Sequence, residues 1–119
     1  MFVYYLNVPL NETGVQELES YDDELANVKT FELSDMEYES LRKKDGLFER
    51  FDSELGTIID VCEEEVIKTE QIPHAIDILE NHLESVKDKT ERESCIKIME
   101  ALKMARDADT FLEIDIYLE

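Results

Sequence analysis

The sequence predicts a single α+β domain, in which a small antiparallel or mixed sheet holds strands from both termini and three to four helices cover one face. Three observations predict this fold: a β-branched and aromatic run opens the chain, alternating apolar and acidic residues close it, and two amphipathic helical patterns lie between. A chain of 119 residues, 43% of them hydrophobic, can build one core but is too short for two domains.

The first strand is predicted over residues 2–8, where β-branched and aromatic residues prevail before Pro9. Residues 10–26 are polar and acidic with few apolar anchors, which predicts a loop that can include a helical turn. Residues 28–33 are apolar enough to predict a second strand. The first quarter of the chain is therefore expected to contribute strands and a connecting loop.

A capping box marks the start of the next helix. The hydroxyl of Ser34 is placed to accept from a free backbone N–H, and Glu37 is placed to reach back to the residue-34 backbone. The helix is predicted to run to about Lys44 and to end at Asp45 and Gly46.

The segment that follows is open to two interpretations. Apolar residues recur at helical spacing from Leu47 to Val66, which favours a helix over Leu47–Glu65. Gly56 lies in its middle and costs about 1 kcal/mol relative to alanine. The alternative is a break at Gly56 with a strand over Thr57–Val61. Of the two, we favour the helix.

Two antiparallel helices and a strand are predicted for the rest of the chain. Pro73 suits the first turn of a helix over about residues 72–87, whose apolar residues form a stripe. A second capping box at Thr90–Glu93 opens a helix over about residues 91–108. Residues 112–118 then alternate between apolar and polar side chains, which predicts a half-buried strand.

The net charge of −19, from 31 acidic and 12 basic residues, constrains the partner. It argues against nucleic acid and against an anionic membrane, since both are bound through Lys and Arg. Residues 1–28 and 51–67 contain no Lys or Arg, and further carboxylates follow Asp107. A single acidic run is usually just a solvated surface, but three such stretches predict one strongly negative face that meets a basic protein. The candidate partner-binding residues are Asp22, Asp23, Glu24, Asp60, Glu63, Glu64 and Glu65.

No catalytic, cofactor or metal site is predicted, so the chain is expected not to be an enzyme. His74 and His82 lie eight residues apart, too far along one helix to share a metal. Cys62 and Cys95 fall in apolar patterns and are expected to be free, inert core thiols in a reducing compartment. The three glycines form no phosphate-binding loop, and carboxylate pairs are too common to single out an acid–base pair. Neither a basic leader nor a membrane-length apolar run is present, so we expect a cytoplasmic protein.

Residues 56–65, with an Ile-Asp…Glu-Glu pattern, precede an Ile-Pro-led helix at residues 71–80. Over about residues 47–118 this arrangement resembles small acidic bacterial immunity-type proteins of polymorphic toxin systems. The resemblance implies an immunity protein or antitoxin that neutralises a basic toxin by masking its surface, and it assigns no individual residue. The alternatives are a phage or housekeeping interaction module such as a DNA mimic, and a small-molecule-binding protein or enzyme with an unrecognised pocket.

Overall fold

The computed structural model describes residues 1–21, 24–59 and 64–119, and these parts of the chain contain both strands and helices. Its elements, in chain order, are β1 (Phe2–Pro9), α1 (Glu12–Glu19), β2 (Val28–Leu33), α2 (Asp35–Arg42), α3 (Leu47–Leu55), β3 (Glu64–Ile67), a 3₁₀ turn (Thr69–Gln71), α4 (Ile72–Leu83), α5 (Lys89–Ala108) and β4 (Leu112–Leu118). The predicted α+β class, with strands at both ends of the chain, is confirmed.

The strands form a four-stranded antiparallel sheet in the order β2-β1-β4-β3. The two terminal strands are neighbours at its centre, where Leu6 of β1 lies opposite Ile114 of β4. Strand β3 pairs with β4 at one edge, and β2 pairs with β1 at the other. Each central strand therefore has a hydrogen-bonding partner on both sides.

Side-chain alternation gives the sheet two different faces. Leu6, Val8, Ile114 and Ile116 point to the inner face and are almost completely buried in the main hydrophobic core. That core also contains residues of α2, α3, α4 and α5, and α5 packs directly on β1. The predicted helical cover on one face is thus formed by these four helices.

Helix α1 corrects the prediction of a loop over residues 10–26. Asn11 caps the helix by accepting from the backbone N–H of Gly14 at 2.9 Å. The Glu17 carboxylate then accepts from the backbone and side-chain N–H groups of Asn27, at 2.9 and 3.0 Å. Gly14 is itself packed so closely that a β-carbon would overlap the backbone carbonyl oxygen of Asn27. These contacts order a helix too short to show a clear apolar period.

The helix favoured over Leu47–Glu65 is wrong in its second half. Helix α3 ends at Leu55 because Gly56 adopts a left-handed conformation, with φ of 74°, that glycine accepts without steric cost. Asp52 then accepts from the Thr57 hydroxyl and the Ile59 N–H, which holds these residues against the last turns of α3. Residues 57–59 form neither helix nor the alternative strand, and residues 60 and 61 lie outside the described parts.

The ends of the other helices differ only slightly from the predicted ones. The capping box of Ser34 and Glu37 is present, although α2 already ends at Arg42. The α4–α5 pair is also present, but α4 ends at Leu83 and α5 is capped by Asp88, which accepts from the Glu91 N–H. The predicted Thr90 capping box is therefore wrong. Asp88 supplies the cap two residues earlier, which places Glu91 in the first turn of the helix.

Candidate functional site

The face of the sheet turned away from α2–α5, called here the outer face, is polar and acidic. The register places side chains from all four strands on it: Val3, Tyr5 and Asn7 of β1, Thr30 and Glu32 of β2, Glu113, Asp115 and Tyr117 of β4, and Glu64 and Val66 of β3. None of these positions carries a Lys or an Arg. These positions of the outer face therefore carry negative charge that no basic residue among them offsets.

A cleft lies between this outer face on one side and α1, Tyr21 and Leu25 on the other. It has a volume of about 170 Å³ and is called here the acidic cleft; its lining is Asn7, Glu17, Leu18, Tyr21, Leu25, Glu64, Glu113 and Asp115. An adjoining hollow of about 410 Å³ shares Leu18, Tyr21, Glu64 and Glu113 with it. Tyr21 stands at the rim, 75% exposed, with a left-handed φ of 53°. The carboxylates therefore line a concave site with apolar and aromatic edges.

The floor of the cleft is held by a hydrogen-bonded row across three strands. The Thr30 hydroxyl donates to Oδ1 of Asn7 at 2.8 Å, and Nδ2 of Asn7 donates to Oε1 of Glu113 at 3.0 Å. Asn7 is only 5% exposed, so burial and both hydrogen bonds fix its amide. As a result, the Glu113 carboxylate has a defined orientation in the free protein.

The carboxylates of the cleft repel one another. Glu64 lies directly opposite Asp115 in the β3–β4 ladder, an arrangement of like charges that destabilises a sheet. Burial raises the pKa of Glu113, and the charges of Glu64 and Asp115 raise it further against the lowering effect of the Asn7 hydrogen bond. Burial, followed by the charge of Glu64, also raises the pKa of Asp115. A cation bound in the cleft would relieve this repulsion.

Basic residues and ion pairs lie elsewhere in the described structure. Apart from Lys29 and Lys68, every Lys and Arg lies in α2, α3, α5 or the loops that adjoin these helices. In the described parts of the chain, no ion pair reaches Glu17, Glu64, Glu113 or Asp115. The Lys and Arg ion pairs are Arg42–Asp52, Lys43–Glu91, Arg50–Glu54, Lys89–Glu93, Lys97–Glu37 and Arg106–Asp107. Charge is thus partly neutralised among the helices and left uncompensated on the outer face.

The structure brings only part of the predicted acidic set to this site. Glu64 lines the cleft, whereas Glu65 points to the other face and accepts from the Ile58 N–H at 2.7 Å. Glu24 is exposed beside Leu25, which lines the cleft. The remaining predicted residues, Asp22, Asp23, Asp60 and Glu63, lie outside the described parts of the chain.

Four polar residues of the cleft were missed as candidates: Asn7, Glu17, Glu113 and Asp115. The alternation of β4 was the available signal, because it places Glu113 and Asp115 together on the polar face of a half-buried strand. Nothing local in the sequence pairs these two residues with Asn7 or Glu64. That information is contained in the strand order.

Of the two cysteines and two histidines, Cys95, His74 and His82 lie in helices α4 and α5, whereas Cys62 lies outside the described parts of the chain. Cys95 is fully buried, and burial raises the pKa of its thiol to about 12. A pKa this high disfavours the thiolate, which is the reactive form of cysteine. His82 is buried with Nε2 3.5 Å from Glu91, and burial lowers the pKa of this histidine despite that carboxylate. Among the described residues, no group of three His, Cys, Asp or Glu side chains is arranged to hold a metal.

The function of this chain has to be inferred from its fold and its cleft, because known proteins give no assignment. No protein-family model, curated protein or solved structure matches this chain. No helix in the described residues has both the length and the apolar character needed to cross a membrane. The molecule is therefore defined as a small α+β protein with an acidic cleft on the outer face of its sheet.

We expect Glu113→Gln to raise the free energy of unfolding at neutral pH. The folded-state pKa of Glu113 lies above its ordinary value, so the native state binds this proton more tightly than the unfolded chain does. The stabilising contribution is fully present below the ordinary glutamate pKa and is lost as the pH rises through the higher folded value. Glutamine carries no charge and keeps an oxygen for the Asn7 amide.

Urea denaturation of both proteins across a pH series checks this expectation. The advantage of the variant should grow as the pH rises from the acidic range to neutrality. A variant that is less stable than the parent at neutral pH would contradict the electrostatic description of the cleft.

Proposed function

We propose that this chain is a non-catalytic binding protein of the cytoplasm whose outer face masks a basic surface of a protein partner. The observation that supports the proposal is the separation of charge. Glu32, Glu64, Glu113 and Asp115 share the outer face, which has no basic residue among its described positions, while the ion pairs lie among the helices. Such a surface attracts a positively charged surface and repels an acidic ligand.

Charge complementarity of this kind acts first on association. An acidic surface steers a basic partner toward it and raises the association rate constant, an effect that salt screens. The exposed Tyr21 and Tyr117 supply aromatic area, which is enriched in protein interfaces and slows dissociation. Steering and anchoring together would make the outer face an effective mask.

The most specific form of this proposal is an immunity protein or antitoxin. A toxin that acts on nucleic acid needs a positive surface for its substrate, and an acidic inhibitor that covers this surface blocks access. The resemblance of residues 47–118 to immunity-type proteins supports the same class. The proposed partner is therefore a basic toxin made in the same cell.

A second candidate function is supported by the size of the site. The hollow of about 410 Å³ beside the acidic cleft falls within the range of small-molecule pockets, roughly 300–1,000 Å³. Its carboxylates would select an organic cation such as a polyamine. A saturable rise in melting temperature with micromolar spermidine, and no retained protein partner, would favour this function.

Affinity capture at low salt tests the main proposal. The tagged chain is immobilised, exposed to lysate of the source cells and eluted with a salt gradient, and the eluted proteins are identified by mass spectrometry. The expected result is one basic protein that elutes late and, when purified, forms a saturable complex with the chain. If the retained proteins are acidic, or no purified candidate binds, the proposed function is wrong.

A further inference from the structure

We infer that the open part of the outer face docks an extended basic segment of the partner, which lies over Tyr5 and Tyr117 and places a lysine or arginine side chain in the acidic cleft. The inference rests on the proposed function. It goes further by naming the part of the partner that binds and the strands that receive it.

The outer face is only partly covered by the chain itself. Helix α1, Tyr21 and Leu25 close over the row that contains Asn7, so that Asn7 is 5% exposed. Farther along the central strands, Tyr117 is 40% exposed and its ring lies 5.9 Å from that of Tyr5. This end of the outer face therefore presents a partly exposed tyrosine pair beside carboxylates, although Val3 opposite Tyr117 is only 9% exposed.

This open surface has the chemistry of a docking site for a cationic chain. Asp115 lies opposite Tyr5 on one neighbouring strand and opposite Glu64 on the other, so aromatic rings and carboxylates occupy one row. Tyrosine rings attract cations over their faces, and their rigid apolar area costs little conformational entropy when a partner binds. A segment that crosses this row would meet both kinds of contact at once.

The acidic cleft continues this surface and suits one cationic side chain. Glu64 and Asp115 belong both to the open row and to the lining of the cleft. Leu18 and Tyr21 flank the carboxylates, so the methylene stem of a lysine or arginine would pack on apolar atoms while its charge reached the acids. Because the cleft is concave, a cationic side chain that enters it can contact the apolar residues and the carboxylates together. A cationic side chain that lies on the flat surface cannot do so.

A second copy of this chain does not fit the same surface. Two outer faces brought together would oppose carboxylate to carboxylate, in a molecule whose net charge is already −19. The absence of Lys and Arg at the described positions of this face leaves nothing to compensate the repulsion. Charge complementarity selects a basic segment of another protein.

The test is an NMR titration of the ¹⁵N-labelled chain with a hexa-arginine peptide, with the neutral hexa-citrulline peptide as the matched control. We expect saturable shift changes confined to β1, β3, β4 and the end of α1, and none with citrulline. Tyr5→Ala/Tyr117→Ala should weaken arginine-peptide binding about tenfold, the size of an ordinary aromatic hot spot. Met36→Ala, at a position 69% exposed on α2, should leave binding unchanged.

Shift changes centred on α4 and α5, or spread over all exposed carboxylates, would overturn this inference, as would a tyrosine variant that folds normally and binds like the parent. Amide spectra of each variant establish that it is folded. The proposed function is judged separately by the capture experiment, whose result does not depend on which face binds.

Discussion

Association with the basic partner slows roughly 10- to 100-fold at low salt when the three strand carboxylates of the acidic cleft are neutralised together. The variant is Glu64→Gln/Glu113→Gln/Asp115→Asn. All three side chains line the cleft, and no ion pair in the described structure compensates them. Their combined field is therefore available to steer a positive surface, and removing it leaves only the weaker steering by the remaining acidic residues.

Stopped-flow association kinetics over a series of salt concentrations measure this effect. The parent should lose association rate steeply as salt rises, because exposed charges are screened within about 10 Å at 0.1 M. The variant should show a much flatter dependence. Dissociation should change less than association, since the tyrosines that we assign to anchoring remain.

A matched variant separates the position of the charges from their number. Asp77→Asn/Glu80→Gln/Glu100→Gln removes the same formal charge from exposed positions on α4 and α5. We expect it to slow association far less. Equal slowing by both variants would show that net charge alone drives binding, and would contradict the assignment to the outer face.

The cleft variant should also be at least as stable as the parent at neutral pH. Neutralisation removes the cross-strand repulsion between Glu64 and Asp115 and the unfavourable burial of Glu113 and Asp115. Loss of binding together with retained or increased stability is the pattern of a site in which stability is given up for function. Weakened binding could then not be attributed to unfolding.

Phe48→Ala should lower the free energy of unfolding by about 3–5 kcal/mol, the largest stability change that we predict. Phe48 is fully buried, and its ring lies 6.1 Å from that of Tyr38, which stacks on Tyr4 of β1 at 4.3 Å. Truncation would leave a cavity where α3 meets α2 and the inner face. The close-packed neighbours would fill it only in part.

Urea denaturation followed by circular dichroism measures this loss. Met36→Ala is the control, because its side chain is 69% exposed and its truncation should change stability by less than about 0.5 kcal/mol. A loss below about 1 kcal/mol for Phe48→Ala would mean that this part of the core repacks around the missing ring.

Local sequence patterns were sufficient to predict the elements whose residues lie close together in the chain. Composition and alternation predicted both terminal strands, and the capping box of Ser34 and Glu37 predicted the start of α2. The apolar stripe predicted the α4–α5 pair, although Asp88 rather than Thr90 caps the second helix. These features depend on residues within a few positions of one another, and such short-range interactions can be deduced from sequence.

Tertiary packing decided α1, the end of α3 and the composition of the site. Helix α1 depends on contacts with Asn27, and α3 ends where Gly56 turns and Asp52 holds the chain that follows. The acidic cleft exists because β4 lies between β1 and β3, which brings Glu64 beside Asp115 across about fifty residues of sequence. The periodicity of a strand predicts which of its side chains share a face. Which strands pair with it depends instead on how the whole hydrophobic core is buried.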